Sequence, residues 1–336
     1  MILEESQIIA RLRFIPDLKL LYVNNPKVAC STIKKALWIG AAPETFVEGM
    51  SPHNKVASPY LPSLEDLYVK RTQVVAATKF TVVRNPFARI LSAYLDKVGR
   101  TDRDTNVFHP FARRFGISGE ERLTFTQFLE LIATEEPSYL DDHFAPQYVT
   151  TMYDFCPLDF IGRMEELEEV WAFLGKRQIA ISEHRPHATN AAGLLATHYG
   201  PREIDIVTTY FDRDFELFGY SKDPGILAPV RPVTLPSVKP QVLTSLLGGY
   251  CDRNPGRRQR LLEGVARNVP DFNIDYSRAE SRLVSLRELG DFSKAVTLKE
   301  ITDWKLISIY SQEMLRRGMF NHAFSSVARL KQILYG

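Results

Sequence analysis

Between residues 79 and 98 an apolar, β-rich run, KFTVVR, passes into a helical pattern with no loop between them. Asn85 is a good N-cap and Pro86 suits the first helical position, so the strand stops at Arg84 and the helix starts at once. Phe87, Ile90, Leu91, Tyr94, Leu95 and Val98 recur at helical spacing as a stripe to be buried, while Asn85, Arg89, Ser92 and Asp96 fall on a different face. Such a junction belongs to a strand that ends at the edge of a sheet beneath a helix. The alternation recurs: LKLLYV (residues 18 to 23) precedes STIKKALWIG, and LDFIG (158 to 162) precedes a helix from Glu165. Strands alternating with helices predict an α/β domain with a central parallel sheet flanked by helices.

The 336 residues, 45% of them hydrophobic, suffice for one large or two unequal domains. DPGILAPVRPVTLPSVKP, with a proline every few residues, forbids regular helix and predicts a semi-extended linker over 223–240. The expected division is an α/β domain over 1–222, that linker, and an all-helical accessory domain over 241–336. In the last, RRGMFNHAFSSVARL looks like part of a tetratricopeptide hairpin, but no repeat period precedes it, so an ordinary helical bundle is expected, open to self-association or a protein partner.

Lys plus Arg number 42 against 40 Asp plus Glu, which argues against nucleic acid bound through bulk charge and confines any anion site to a local patch. The three cysteines, Cys30, Cys156 and Cys251, form neither a disulfide framework nor a CxxC pair, and the seven histidines form no metal-ligand cluster. Glu4 and Glu5 stand where a signal peptide would be basic, and no apolar stretch is long enough to span a bilayer, so a cytoplasmic protein with free thiols is expected.

Two segments carry the chemistry. The first, Asn25 to Lys34, lies where an apolar strand ends and a helix bearing Ile33, Leu37 and Trp38 begins. Such a turn aims backbone N–H groups and a helix dipole at one point, so residues Lys27, Val28, Ala29, Cys30, Ser31, Thr32 and Ile33 suit a phosphate, with hydroxyls from Ser31 and Thr32 and an ammonium from Lys27. It has no glycine and so is not a Walker loop. A plain N-cap with a solvated lysine is an equal reading of these residues alone. In the second segment Arg84 leaves the C-terminal edge of the sheet, where its fork can hold a phosphate, and Ser92 can add a hydroxyl. Arg84 could equally cap carbonyls.

PKVACST and RNPFARILSAY together resemble the donor-binding motifs of the family 2 carbohydrate sulfotransferases. HFAPQ (143 to 147), DFIGRME (159 to 165) and YGPREIDIVTTYFDRDFELFGYS (199 to 221) extend the resemblance over about residues 18 to 222. Ala29 stands where many members have glycine. The resemblance implies a P-loop-NTPase-like sulfotransferase fold and 3′-phosphoadenosine 5′-phosphosulfate as donor. The first motif would hold its 5′-phosphosulfate, with Lys27 stabilising the leaving phosphate, and Arg84 and Ser92 would hold its 3′-phosphate. No metal is required, and the acceptor would be a hydroxyl, most naturally on a carbohydrate. The loop His184 to Asn190, with Arg185, would close over the nucleotide. His53 and His143 compete as general base, His53 because related heparan enzymes carry theirs after the corresponding helix, with Glu48 or Asp142 as carboxylate alternatives. Arg113, Arg114, Arg257 and Arg258 are contacts for an acidic saccharide or plain solvated surface. Phe144 and Tyr148 stack on a sugar or pack in the core. Two rivals remain: a P-loop-type kinase, and a catalytically silent binding protein on the same fold.

Overall fold

The computed structural model describes residues 5–47, 50–53, 58–60, 67, 70–100, 105–179 and 191–253. Four strands form one sheet in the order β1 (Leu12–Ile15), β2 (Leu20–Val23), β3 (Thr78–Val83), β4 (Phe160–Arg163). β2, β3 and β4 are parallel, with Tyr22 opposite Phe80 and Val83 opposite Arg163. β1 runs antiparallel to β2, which adds an antiparallel edge strand to the expected central parallel sheet. The cause is chain length: residues 16–19 suffice for a tight turn, closed by Lys19 N–H on the Pro16 carbonyl at 3.0 Å, but not for a crossover. β1 is hidden in the sequence because LRFI follows the helix Glu5–Arg11 with no turn residue between them.

Helix α1 (Cys30–Ala41) follows β2 and α2 (Pro86–Lys97) follows β3; the short α3 (Gln147–Thr150) precedes β4, and α4 (Leu167–Gly175) follows it. The period of two along the strands sorts the core into two layers. Tyr22, Phe80 and Val82 meet Ile33, Ala36 and Leu37 of α1 and Val170 and Leu174 of α4. Leu21, Val23 and Val83 meet Phe87, Ile90 and Leu91 of α2, in a layer that also holds Phe128, Phe144 and Phe215. Each fully buried large side chain contributes about 1.5–3 kcal/mol. α2 also buries its second face, since Arg89 and Ser92 are as enclosed as its apolar stripe. Two buried faces require polar partners for one of them.

The Pro-rich stretch is extended, as its prolines demand, yet it is fastened to the domain. α5 (Asp212–Phe218) ends at Gly219, whose carbonyl accepts from Val230 and Arg231 N–H at 2.8 and 3.1 Å. Thr234 N–H donates to the Leu217 carbonyl at 2.9 Å, and Arg163 Nη2 donates to the Arg231 carbonyl at 2.6 Å. Helix α6 (Pro240–Arg253) then adds Leu243 and Leu247 to the core, beyond the edge expected at residue 222. Residues 254–336, most of the expected helical accessory domain, lie outside the described residues. Among the described residues no helix is long and apolar enough to cross a membrane.

Gly219 has φ +75°, and a Cβ there would come 2.2 Å from the Arg231 carbonyl oxygen. Gly219→Ala is therefore expected to cost about 3 kcal/mol or more in urea unfolding, against roughly 1–2 kcal/mol for left-handed strain alone. A loss of only the smaller amount would mean that the Pro-rich segment is a free linker.

Candidate active site

β2 and β3 are neighbouring parallel strands, so the turns at their C-terminal ends lie side by side where open α/β sheets bind ligands. In the first turn Lys27 and Ala29 hold φ of 70° and 60°, flanking a Val28 whose side chain is fully buried. Left-handed backbone at a residue with a Cβ costs roughly 1–2 kcal/mol. Alternating φ of this kind turns successive N–H groups toward one concavity, an arrangement suited to anions. α1 then starts from Ala29, whose side chain offers no cap.

The strain is held from behind. Arg89, 1% exposed, donates from Nε to the Pro26 carbonyl at 3.1 Å, from Nη1 to the Ala145 carbonyl at 2.8 Å and from Nη2 to the Asp142 carbonyl at 2.8 Å. It ties the first turn to the segment 142–145. Gln147 does the same for the second turn: its Oε1 accepts from Arg84 N–H at 2.9 Å and Asn25 Nδ2 at 3.0 Å, and its Nε2 donates to the Arg84 carbonyl at 2.8 Å. Asp214 beneath accepts from the Gln147 and Tyr148 N–H groups at 2.6 and 2.9 Å. Burial pushes its carboxyl up to about 6, a rise that those two bonds and Arg89 oppose. Asn85 caps α2 by accepting from Phe87 N–H at 3.0 Å, and its own N–H donates to Glu165.

Four charged groupings face this frame. The Lys27 ammonium lies 3.0 Å from Asp96 Oδ2, with Lys97 at 3.2 Å from the same oxygen. Burial pulls Lys27 below its ordinary value, and Asp96 only partly offsets this. Arg84, 9% exposed, reaches the Lys27 carbonyl through Nη1 at 3.3 Å, which links the two turns. His53 places Nε2 2.6 Å from Ser31 Oγ and Nδ1 3.2 Å from the Lys34 ammonium, at the first turn of α1. His143 instead bonds Asp141 through Nδ1 at 2.6 Å. For Asp141, burial favours the neutral form, but the bonds and charge of His143 together with Lys97 outweigh it and hold the carboxyl below its ordinary value.

Of the residues singled out from sequence, Lys27 to Ile33, His53 and Arg84 are thus gathered around the two turns, with Ser92 buried in the second turn of α2. Arg185 and Glu48 lie outside the described residues. Asp142 commits its carboxylate to the buried Arg11, at 2.7 Å from Nη2. Phe144 is a core residue in edge contact with Phe111 and Phe128, and the Arg213 guanidinium lies 4.5 Å from the ring centre of Tyr148. Sequence reasoning gave no role to Arg89, Gln147, Lys34 or Asp96. Asp96 and Arg89 were visible on the second face of α2, a face that needs partners once buried; Gln147 and Lys34 were visible only as the ends of HFAPQ and of the first segment, with nothing local to say what they would bond.

The family model described as Sulfotransferase family matches residues 10–221. The chain belongs to that family. Carbohydrate sulfotransferase 14 of Danio rerio is 30% identical over 172 residues, 47% of this chain and 46% of that protein. Carbohydrate sulfotransferase 10 is 28% identical over 242 residues in Pongo abelii and 27% over 245 in Homo sapiens, in each case 62% of this chain and 66% of the relative. The chain therefore spans about half to two thirds of the length of these relatives. No solved structure matches the chain. The matched region contains both turns and every residue of the frame around them.

Arg89→Met keeps the bulk but strands the Pro26, Asp142 and Ala145 carbonyls. It is expected to lower stability by about 3 kcal/mol in urea unfolding, and a loss under about 1 kcal/mol would show that these carbonyls find other partners.

Proposed function

We propose that this protein transfers a sulfuryl group from 3′-phosphoadenosine 5′-phosphosulfate to a hydroxyl of a carbohydrate acceptor. The observation that carries this reading is the 2.6 Å contact of His53 Nε2 with Ser31 Oγ, which sets an imidazole on the turn built for an anion. The donor class fits the residues present: an uncapped helix start, two left-handed residues, a largely buried ammonium at Lys27 and a largely buried guanidinium at Arg84 all call for negative charge. The carbohydrate acceptor is supported by the relatives, which are named carbohydrate sulfotransferases.

When bound, the donor supplies the sulfuryl group and carries the charge that develops on its phosphate. The turn and Lys27 hold the 5′ end, where their charge matters most as the phosphate leaves. Arg84, with Ser92, holds the 3′-phosphate, the part that distinguishes this nucleotide from ADP. Lys34 can only donate, so it assigns the lone pair of His53 to Nδ1 and the proton to Nε2, toward Ser31. Nδ1 is then the atom that takes the acceptor's proton, once the acceptor hydroxyl has displaced the Lys34 ammonium from it. His143, paired with Asp141 through Nδ1, is the second candidate for this role.

3′-Phosphoadenosine 5′-phosphate is expected to bind in calorimetry without Mg²⁺, and Arg84→Ala to weaken it by more than about ten-fold, because a charge-assisted pair worth roughly 1.5–3 kcal/mol is lost. Ser92→Ala, which removes one neutral donor, has a smaller effect. ADP binding as tightly would overturn the assignment, and Mg²⁺-dependent turnover of ATP would restore the kinase reading.

His53→Ala is expected to remove most turnover, about 10²-fold or more for a general base, while nucleotide affinity stays within about two-fold. Wild-type kcat in that variant would transfer the role to His143.

A further inference from the structure

We propose that Asp96 is a positioning residue for the donor: it holds the Lys27 ammonium when no nucleotide is bound and has to give it up to the 5′-phosphosulfate. This inference rests on the sulfotransferase reading of the site. Asp96 lies one helical turn beyond Ser92 on the face of α2 that looks toward the first turn, and its Oδ2 is 3.0 Å from Lys27 Nζ. Lys27 is the donor turn's own cation, on a side chain only 10% exposed, so its ammonium has little water to fall back on. An ammonium that is buried needs an anion beside it, and the site offers two: the fixed carboxylate and the phosphosulfate.

Two features make Asp96 a partner that yields. Its Oδ2 is also 3.2 Å from Lys97 Nζ, so the carboxylate keeps one cation after Lys27 turns away. Burial alone would favour a neutral Asp96, but Lys27 and Lys97 outweigh it, so the group competes for Lys27 as a carboxylate. The ion pair is also not what holds the turn in place, because Arg89 grips the Pro26 carbonyl and Arg84 the Lys27 carbonyl independently. Asp96 therefore lowers donor affinity while keeping the ammonium where the donor will need it.

The test is calorimetry with two nucleotides, 3′-phosphoadenosine 5′-phosphate and adenosine 3′-monophosphate, the second lacking the 5′ group. Asp96→Asn is expected to bind the first about five-fold more tightly than the unaltered protein and the second unchanged. Asp96→Glu should return to within about two-fold of the original. In a Lys27→Ala background the gain from Asp96→Asn should vanish, which separates competition for Lys27 from plain repulsion of the nucleotide. Unchanged or weaker binding in Asp96→Asn, an equal gain for both nucleotides, or a gain that survives without Lys27 would each overturn the proposal. Asp96→Ser gives the same comparison should the asparagine variant not fold, and failure of both to fold would make the residue structural and overturn it as well. If the unaltered protein binds neither nucleotide, it is the sulfotransferase reading that fails, and this one with it.

Discussion

The candidate site depends on a guanidinium committed to the protein's own backbone. Arg89 is buried and gives hydrogen bonds to the carbonyls of Pro26, Asp142 and Ala145, so one rigid fork fixes the first turn against the segment that leads into α3. A buried arginine is costly unless its donors are met, and here one of the turn's own carbonyls, that of Pro26, is among those that meet them. Stability and site geometry are thus the same set of bonds. Gln147 extends the frame by holding both backbone groups of Arg84 and the amide of Asn25, so the ends of β2 and β3 are joined across their tips as well as along the ladder.

That frame explains how a turn without glycine adopts the conformation it does. Lys27 and Ala29 sit in left-handed backbone that glycine would enter more readily, at roughly 1–2 kcal/mol each. Val28 between them is inserted into the core, and Arg89 and Arg84 hold the flanking carbonyls, so the alternatives are blocked by packing. Strain maintained by its surroundings is typical of a preorganised binding turn. The N–H groups stay aimed whether or not a ligand is there to reward them.

A formal net charge of +2 conceals how unevenly charge is laid out. Lys27, Lys34, Arg84 and Arg89 are all largely buried around one sheet edge, with carboxylates placed beside or behind them: Asp96 on Lys27, and Glu165 and Asp214 near the arginines. Glu165 shows the cost of that arrangement, since burial raises its carboxyl above the ordinary value although Tyr220 and the Asn85 N–H both bond to it. Positive charge enclosed in a low-dielectric edge is strong toward a polyphosphate and invisible in the bulk charge count.

Much of this was readable along the chain, because it is local. The strand ending at Arg84, the Asn85 cap and Pro86 are dictated by φ, by a missing N–H and by a side-chain oxygen within three residues of each other, and the structure forms the helix Pro86–Lys97 as that code requires. The same holds for the strand before Asn25 and the helix after it, although not for β1, whose pairing is set by the shortness of the connection rather than by its own residues. Which side chains share the site was not readable. His53 meets Ser31 across 22 positions, Lys27 meets Asp96 across 69, and Gln147 meets Asn25 across 122. Sequence by itself determined the elements and the two anion-ready turns, since propensity and capping act over one or two turns of chain. Only the tertiary structure decided which imidazole lies on the first turn, which arginine braces that turn through the Pro26 carbonyl, and where the Pro-rich segment lies, because those outcomes depend on contacts between residues that the chain keeps far apart.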